Sequence, residues 1–230
     1  MDDLFSDRAV RGRALSRSDV ERLAASSIPG HLIDCDLAEA DLAGLDLLGW
    51  TFERCDLRRA DFTGAKLAGT VWQSCRAALA QFVGADLSDA SVIASDFNNC
   101  VARRSTLAGA SFTRCKLTGA DLSEARALDV SFEETLLINA RLPACSFRKQ
   151  TLHKIDFSQA DLRNGDFRGT IFEQCSLREA SMAGCRFDGA DLRGADLGGL
   201  RLIDASLFRG ATISREQAGQ LLGELGLNVR

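Results

Sequence analysis

The sequence predicts a solenoid of short tandem repeats, and three observations lead there. Large apolar residues recur every fifth position, small residues recur two places ahead of them, and neither series breaks phase over about four-fifths of the 230 residues. The stretch Asp34 to Gly49, DCDLAEADLAGLDLLG, states the rule with Leu37, Leu42 and Leu47. Every fifth residue from Leu32 to Leu207 gives 36 sites, of which 19 are Leu and 11 are Phe; Trp72, Ala77, Val92, Ala102, Ala127 and Met182 are the exceptions. A period of five matches neither the 3.6 of a helix nor the 2.0 of an alternating strand, so the chain is read as a repeat array.

The second series, from Gly30 to Ala205, holds 15 Ala and all 8 Cys. Large and small residues pointing inward together tile a narrow core. The position before each large residue is often Asp or Ser, and the two after it are mostly polar or Gly, so these three face water.

The pattern of Ala40-Asp41-Leu42-Ala43-Gly44 and Ala190-Asp191-Leu192-Arg193-Gly194 resembles the pentapeptide repeat family. The resemblance implies an all-β fold, a right-handed quadrilateral parallel β-helix with four repeats to a coil. Thirty-six repeats then make nine coils, a rod about 43 Å long at roughly 4.8 Å per coil. Each coil is stable only against its neighbours.

Composition agrees with a soluble rod. The formal net charge is −4, and the sequence has neither the early apolar run of a signal peptide nor 18 consecutive apolar residues, so a cytoplasmic protein with no membrane contact is expected. Cys35, Cys55, Cys75, Cys115 and Cys175 share one face; parallel side chains in a packed interior favour buried free thiols over disulfides. No CxxC occurs and neither histidine is placed to assist one, so no metal is expected.

Along the chain, residues 1–29 form an N-terminal cap outside the register. Ser18-Asp19-Val20-Glu21 has the form of a capping box, which predicts a short helix from about Asp19 to Ala25 with Val20 and Leu23 facing the first coil. Residues 30–211 form the rod. Leu45 and Trp50, too large for the small series, are placed against a cap. Two stretches are irregular without a change of phase: Val71 to Val83, with Ala77, Leu79 and Val83, and Arg126 to Ile155, with Ala127, Val130, Leu136, Ile138, Gln150 and Ile155. Their outward apolar residues are candidates for a partner surface. In residues 212–230, a second capping box, Ser214-Arg215-Glu216-Gln217, precedes Ala218, Leu221, Leu222 and Leu225 at helical spacing, with Leu227 and Val229 beyond. Such a helix must cover the last coil, pair with a copy of itself, or both.

An unbroken rod ending in this tail resembles the Qnr and MfpA class of pentapeptide proteins. That resemblance implies a homodimer through Ala218, Leu221, Leu222, Leu225, Leu227 and Val229, and binding to DNA gyrase or topoisomerase IV in place of duplex DNA, with inhibition or protection from quinolones as the result. The partner-facing acidic candidates are Asp36, Asp56, Asp96, Asp156 and Asp196 on one face and Asp41, Asp61, Asp121 and Asp161 on another; the alternative role of each is a local bond to backbone N–H groups at a turn. The sequence departs from the class in two ways: it has no room for a projecting loop, and no face is strongly negative. A general protein-interaction scaffold is the competing reading. Catalysis, cofactors and direct nucleic-acid binding find no supporting constellation.

Overall fold

A computed structural model describes residues 9–26, 28–198, 206–224 and 226–229. The large-series site Leu202, the small-series site Ala205 and the helix residue Leu225 lie outside them. The chain is a parallel β-solenoid of about nine turns with two short helices. One face is a nine-stranded parallel sheet, whose strands are β1 (Ala9–Arg11), β2 (His31–Ile33), β3 (Thr51–Glu53), β4 (Val71–Gln73), β5 (Ser91–Ile93), β6 (Ser111–Thr113), β7 (Ser131–Glu133), β8 (Thr151–His153) and β9 (Ile171–Glu173). A two-stranded sheet, β10 (Cys175–Ser176) with β11 (Ala195–Asp196), marks a second face, and isolated parallel bridges mark the others. Helix α1 (Arg17–Ala24) lies between β1 and β2, and α2 (Arg215–Glu224) follows the solenoid.

The five-residue repeat is explained by where its five backbone N–H groups go. In the repeat centred on Leu42, the Leu42 and Gly44 N–H groups donate forward to Asp61 and Thr63 carbonyls one coil on. The repeat before it closes through Ala40 N–H on the Leu37 carbonyl. In the next coil Asp61 N–H donates back to Ala40. The remaining donor, the residue after the leucine, is taken by the aspartate side chain: Ala43 N–H donates to Asp41 Oδ1 at 3.0 Å. The last residue of each repeat from Asp34 to Gly189 sits at positive φ, as Gly44 (70°) and Glu39 (60°) do. Glycine is cheap in that left-handed conformation, and other residues cost about 1 kcal/mol or more each. At Gly194 glycine is required by space, because a Cβ would stand 2.3 Å from the Phe172 carbonyl oxygen.

The core is a set of ladders spaced by twenty residues. Phe112 pairs in register with Phe132, ring centroids 5.2 Å apart, and Glu133↔His153 then Leu152↔Phe172 carry the same ladder onward. Phe52 stacks on Trp72 at 4.3 Å, and Phe147, Phe167 and Phe187 form a third stack. The Trp72 indole N–H, buried among them, donates to Thr70 Oγ1 at 2.9 Å, and Thr70 donates on to the Leu67 carbonyl. All eight cysteines are buried and unbridged. In one column their thiols meet carbonyls of the coil before, as Cys75 does with Phe52 at 3.2 Å, and Ser95 and Thr135 hydroxyls make the equivalent bonds. Burial pushes Cys100 and Cys145 up to about 12, so they stay protonated and unreactive.

Both ends differ from the sequence reading. The N-terminal segment is part of the stack: β1 pairs with β2 through Ala9↔His31, and Ala14 bridges Asp36. Its spacing is 22 residues instead of 20, because α1 is spliced into that coil, and this hides Val10 and Leu15 from a strict count of fives. The helix starts two residues earlier than expected, with Ser16 as N-cap and Asp19 closing the capping box, so neither Ser18 nor Glu21 makes it. Val20 is buried and Leu23 packs on the core. Trp50 fills the space that Gly30 leaves open, where a Cβ would come within 2.8 Å of the indole. At the other end the phase slips by one: Phe208, not Leu207, stacks on Phe187 at 4.7 Å, and Thr212 bridges Asp191, 21 residues away.

Candidate interaction surfaces

All nine candidate aspartates make the local turn bond. Asp36, Asp41, Asp56, Asp61, Asp96, Asp121, Asp156, Asp161 and Asp196 each accept from the backbone N–H two residues on, at 2.8 to 3.3 Å. They are therefore structural acceptors first, and what they offer a partner is the remaining carboxylate oxygen.

Five of the nine also face a cation. Arg58 forks onto Asp56 (2.8 and 2.6 Å), and Arg76 adds a contact at 3.0 Å. Asp161 takes the same fork from Arg163, while Asp41 meets Arg17, Asp121 meets Arg141 and Asp196 meets Arg178. The legible signal is Asp-[Leu/Phe]-Arg, which also builds Asp166–Arg168 and Asp191–Arg193. The arginine holds each carboxyl below its usual range, and Asp166 falls to about 2. Asp36, Asp61, Asp96 and Asp156 make no ion pair among the described residues.

Further pairs lace one coil to the next, including Arg54–Asp34, Arg59–Glu39, Lys66–Asp46, Arg104–Glu124 and Lys154–Glu134. They are exposed, and each contributes about 0–1 kcal/mol. Their larger effect is to interleave both signs along the rod.

The two irregular stretches differ in structure. Around Ala77 the ladder is complete and the alanine is fully buried. Around Ala127 it is not. The forward bonds that the register assigns to Ala127 and Asp129 are not formed, nor are the backward bonds of Ser146 and Thr151. Gln150 Nε2 reaches the Val130 carbonyl at 3.3 Å in place of the Thr151 N–H. The coils part there around a cavity of about 320 Å³. Pro143 on its rim is tolerated because a repeat's fourth N–H is not part of the ladder. Leu128 on this face is 71% exposed.

The C-terminal residues divide by direction. Ser214 and Gln217 form the reciprocal capping box (2.7 and 3.1 Å). Gln217 is buried, and its amide donates to the Leu192 and Ala195 carbonyls, both at 2.7 Å, so the helix plugs the end of the last coil with hydrogen bonds. The sequence pointed to Gln217 only as a capping residue. Leu221 packs on the core and Ala218 is half-buried, whereas Leu222, Leu227 and Val229 are exposed. Gly226, at φ 76°, turns the chain back, and Leu227 N–H donates to the Leu222 carbonyl.

Among the described residues no cluster of His, Cys, Asp or Glu could hold a metal ion, and no helix is long and apolar enough to cross a membrane.

Comparison with known proteins gives two family matches. The pentapeptide repeat region matches residues 105–182, and the eight-copy pentapeptide repeats match residues 31–71, 55–92, 80–123 and 170–208. No curated protein sequence matches. Among solved structures, a trypsin-treated form of QnrB1, a plasmid-mediated fluoroquinolone resistance protein, is similar at 19% identity, covering 96% of this chain and 97% of that one with a TM-score of 0.49. HetL, a pentapeptide repeat protein involved in heterocyst differentiation regulation from the cyanobacterium Nostoc, shares 21% identity over 79% of this chain and 96% of its own, at a TM-score of 0.39. A pentapeptide repeat protein of the Arabidopsis thaliana thylakoid lumen shares 24% identity over 73% of each chain, at 0.19.

Proposed function

Because the chain belongs to the pentapeptide repeat family, we propose that it acts by binding, and that its partner is DNA gyrase or topoisomerase IV in the cytoplasm. The rod occupies the basic saddle those enzymes present to duplex DNA, modulating them and protecting them from quinolones or other topoisomerase poisons. An elongated surface carrying carboxylates such as Asp36, Asp61, Asp96 and Asp156, none of them ion-paired among the described residues, suits a site built for phosphates.

The observation that carries this reading is the division of labour in the tail. Gln217 and Leu221 close the last coil, while Leu222, Leu227 and Val229 stay at the surface. An apolar strip at the end of a rod fits a second copy across a two-fold axis, which doubles the rod's length. The dimer is tested with Leu222→Asp, because Leu221 also serves this chain's own core; light scattering should report a folded monomer, and an unchanged dimer mass would reject the interface. The partner is tested by adding protein to a gyrase supercoiling assay with and without a quinolone. No effect at micromolar concentration would leave the second reading, a protein-interaction scaffold for another partner. What favours that second reading is the arginine forks, which neutralise several of the aspartates a duplex mimic needs.

A further inference from the structure

We propose that the split between the coils at Ala127 is a binding site for a small amphipathic anion, an aromatic or aliphatic group bearing a carboxylate. Three observations, independent of the gyrase reading, combine here. The first is volume: about 320 Å³ lies at the small end of ligand-pocket sizes, roughly 300–1,000 Å³. Its walls are apolar, formed by Leu107, Leu122, Phe132, Leu142 and Pro143 around Ala127, the one place where a large-series site is both alanine and only half-buried.

The second observation is charge. Arg126 lines the opening, and Arg148 and Lys149 follow Ser146 on the same face. None of the three side chains makes an ion pair among the described residues, where most other arginines are paired. The opposing charges on this face near the opening are Asp129 and Asp166, the latter bridged in register to Ser146 and taken by its own Arg168, so the rim keeps a net positive balance. Nearby Glu124 is occupied by Arg104 and Arg103.

The third observation is the backbone. The N–H groups of Ala127, Asp129 and Ser146, which every regular coil spends on its neighbour, have no acceptor among the described residues. Free N–H groups beside cations suit a carboxylate's oxygens, while the ring or chain of the ligand fills the void. The apolar group takes the volume that Leu or Phe takes at most other large-series sites, and the anion takes the rim.

The probe is 1-naphthoate, titrated into 15N-labelled protein and followed by NMR, with 1-naphthamide as the neutral control and the peptide acetyl-Asp-Phe-Glu-amide as the protein-borne alternative. Saturable shifts at the amides of Ala127, Asp129 and Ser146 are expected for naphthoate, with at least a fivefold weaker response to the amide. Ala127→Leu, which fills the void, should weaken naphthoate about tenfold or more. The combined Arg126→Gln, Arg148→Gln and Lys149→Gln variant leaves the core untouched and should weaken it about fivefold, equal to roughly 1 kcal/mol. Equal affinity for acid and amide, unchanged affinity in the charge variant or in folded Ala127→Leu, or binding of the peptide alone would each overturn the proposal.

Discussion

Ala77 and Ala127 occupy the same position of the repeat on different faces of two coils, each an alanine where leucine or phenylalanine is the rule, yet one coil is closed and the other open. Around Ala77, aromatic rings from neighbouring faces and from the next coil take up the missing volume. Trp72 and Phe97 lie 5.7 Å apart, as do Phe82 and Phe97, so the alanine is wrapped and its N–H reaches the Asp96 carbonyl at 2.7 Å. Around Ala127 the compensating rings are fewer. Phe132 and Phe147 are 6.1 Å apart and tilted, and Gln150 stands in the small series where a short residue would let the coils meet. A solenoid coil is held by volume and ladder together, and where volume fails the ladder fails with it.

The comparison is broken most directly at the compensating rings. Phe97→Ala should cost about 3–5 kcal/mol in denaturant unfolding and give the Ala77 coil the openness of its counterpart. Phe132→Ala, beside an existing void, should cost less, since fewer contacts are lost; equal costs would argue that packing does not distinguish the coils. Next in size is a matched pair of fillings. Ala77→Leu overpacks a closed site and should destabilise by about 1–3 kcal/mol, whereas Ala127→Leu should be neutral or stabilising by about 1 kcal/mol.

Hydrogen exchange sharpens the contrast without substitution. The amides of Ala127, Asp129, Ser146 and Thr151 should exchange well before those of Ala77, Leu79 and Asp96, and similar protection at both sites would contradict the interrupted ladder.

The smallest effect expected is on acid stability. Asp56, one coil before Ala77, and Asp166, two coils beyond Ala127 and bridged to Ser146, are both held below the usual carboxylate range by their arginine forks. A depressed folded pKa gives stability that is present above the unfolded value near 4 and lost as pH falls toward the folded one, about 2 for Asp166. Unfolding followed from pH 5 to pH 2 should show that loss, reduced in Asp166→Asn; a variant with an unaltered acid profile would show that the fork adds nothing.

Much of this was legible from spacing alone. The ladder of Phe112, Phe132 and Leu152, the buried free cysteines and the Ser214–Gln217 box all follow from residues that state their roles locally. The irregularity of residues 126–155 was visible too, but its meaning was not. The inclusion of Val10 and Leu15 in the stack was hidden by the helix inserted before the next coil, and the one-residue slip at Phe208 by the leucines that continue the old phase.

The amino-acid sequence by itself determined the period, and with it the ladders, because each five-residue repeat directs its backbone donors in the same way: three to the adjacent coils, one to the repeat before it and one to its own second side chain. The tertiary structure alone decided which alanine leaves a void, which leucine of α2 turns inward, and which aspartates keep an unpaired carboxylate. Those outcomes depend on side chains brought together from repeats about twenty residues apart or from neighbouring faces, and the volume and charge they add or withhold are not written at the position they affect.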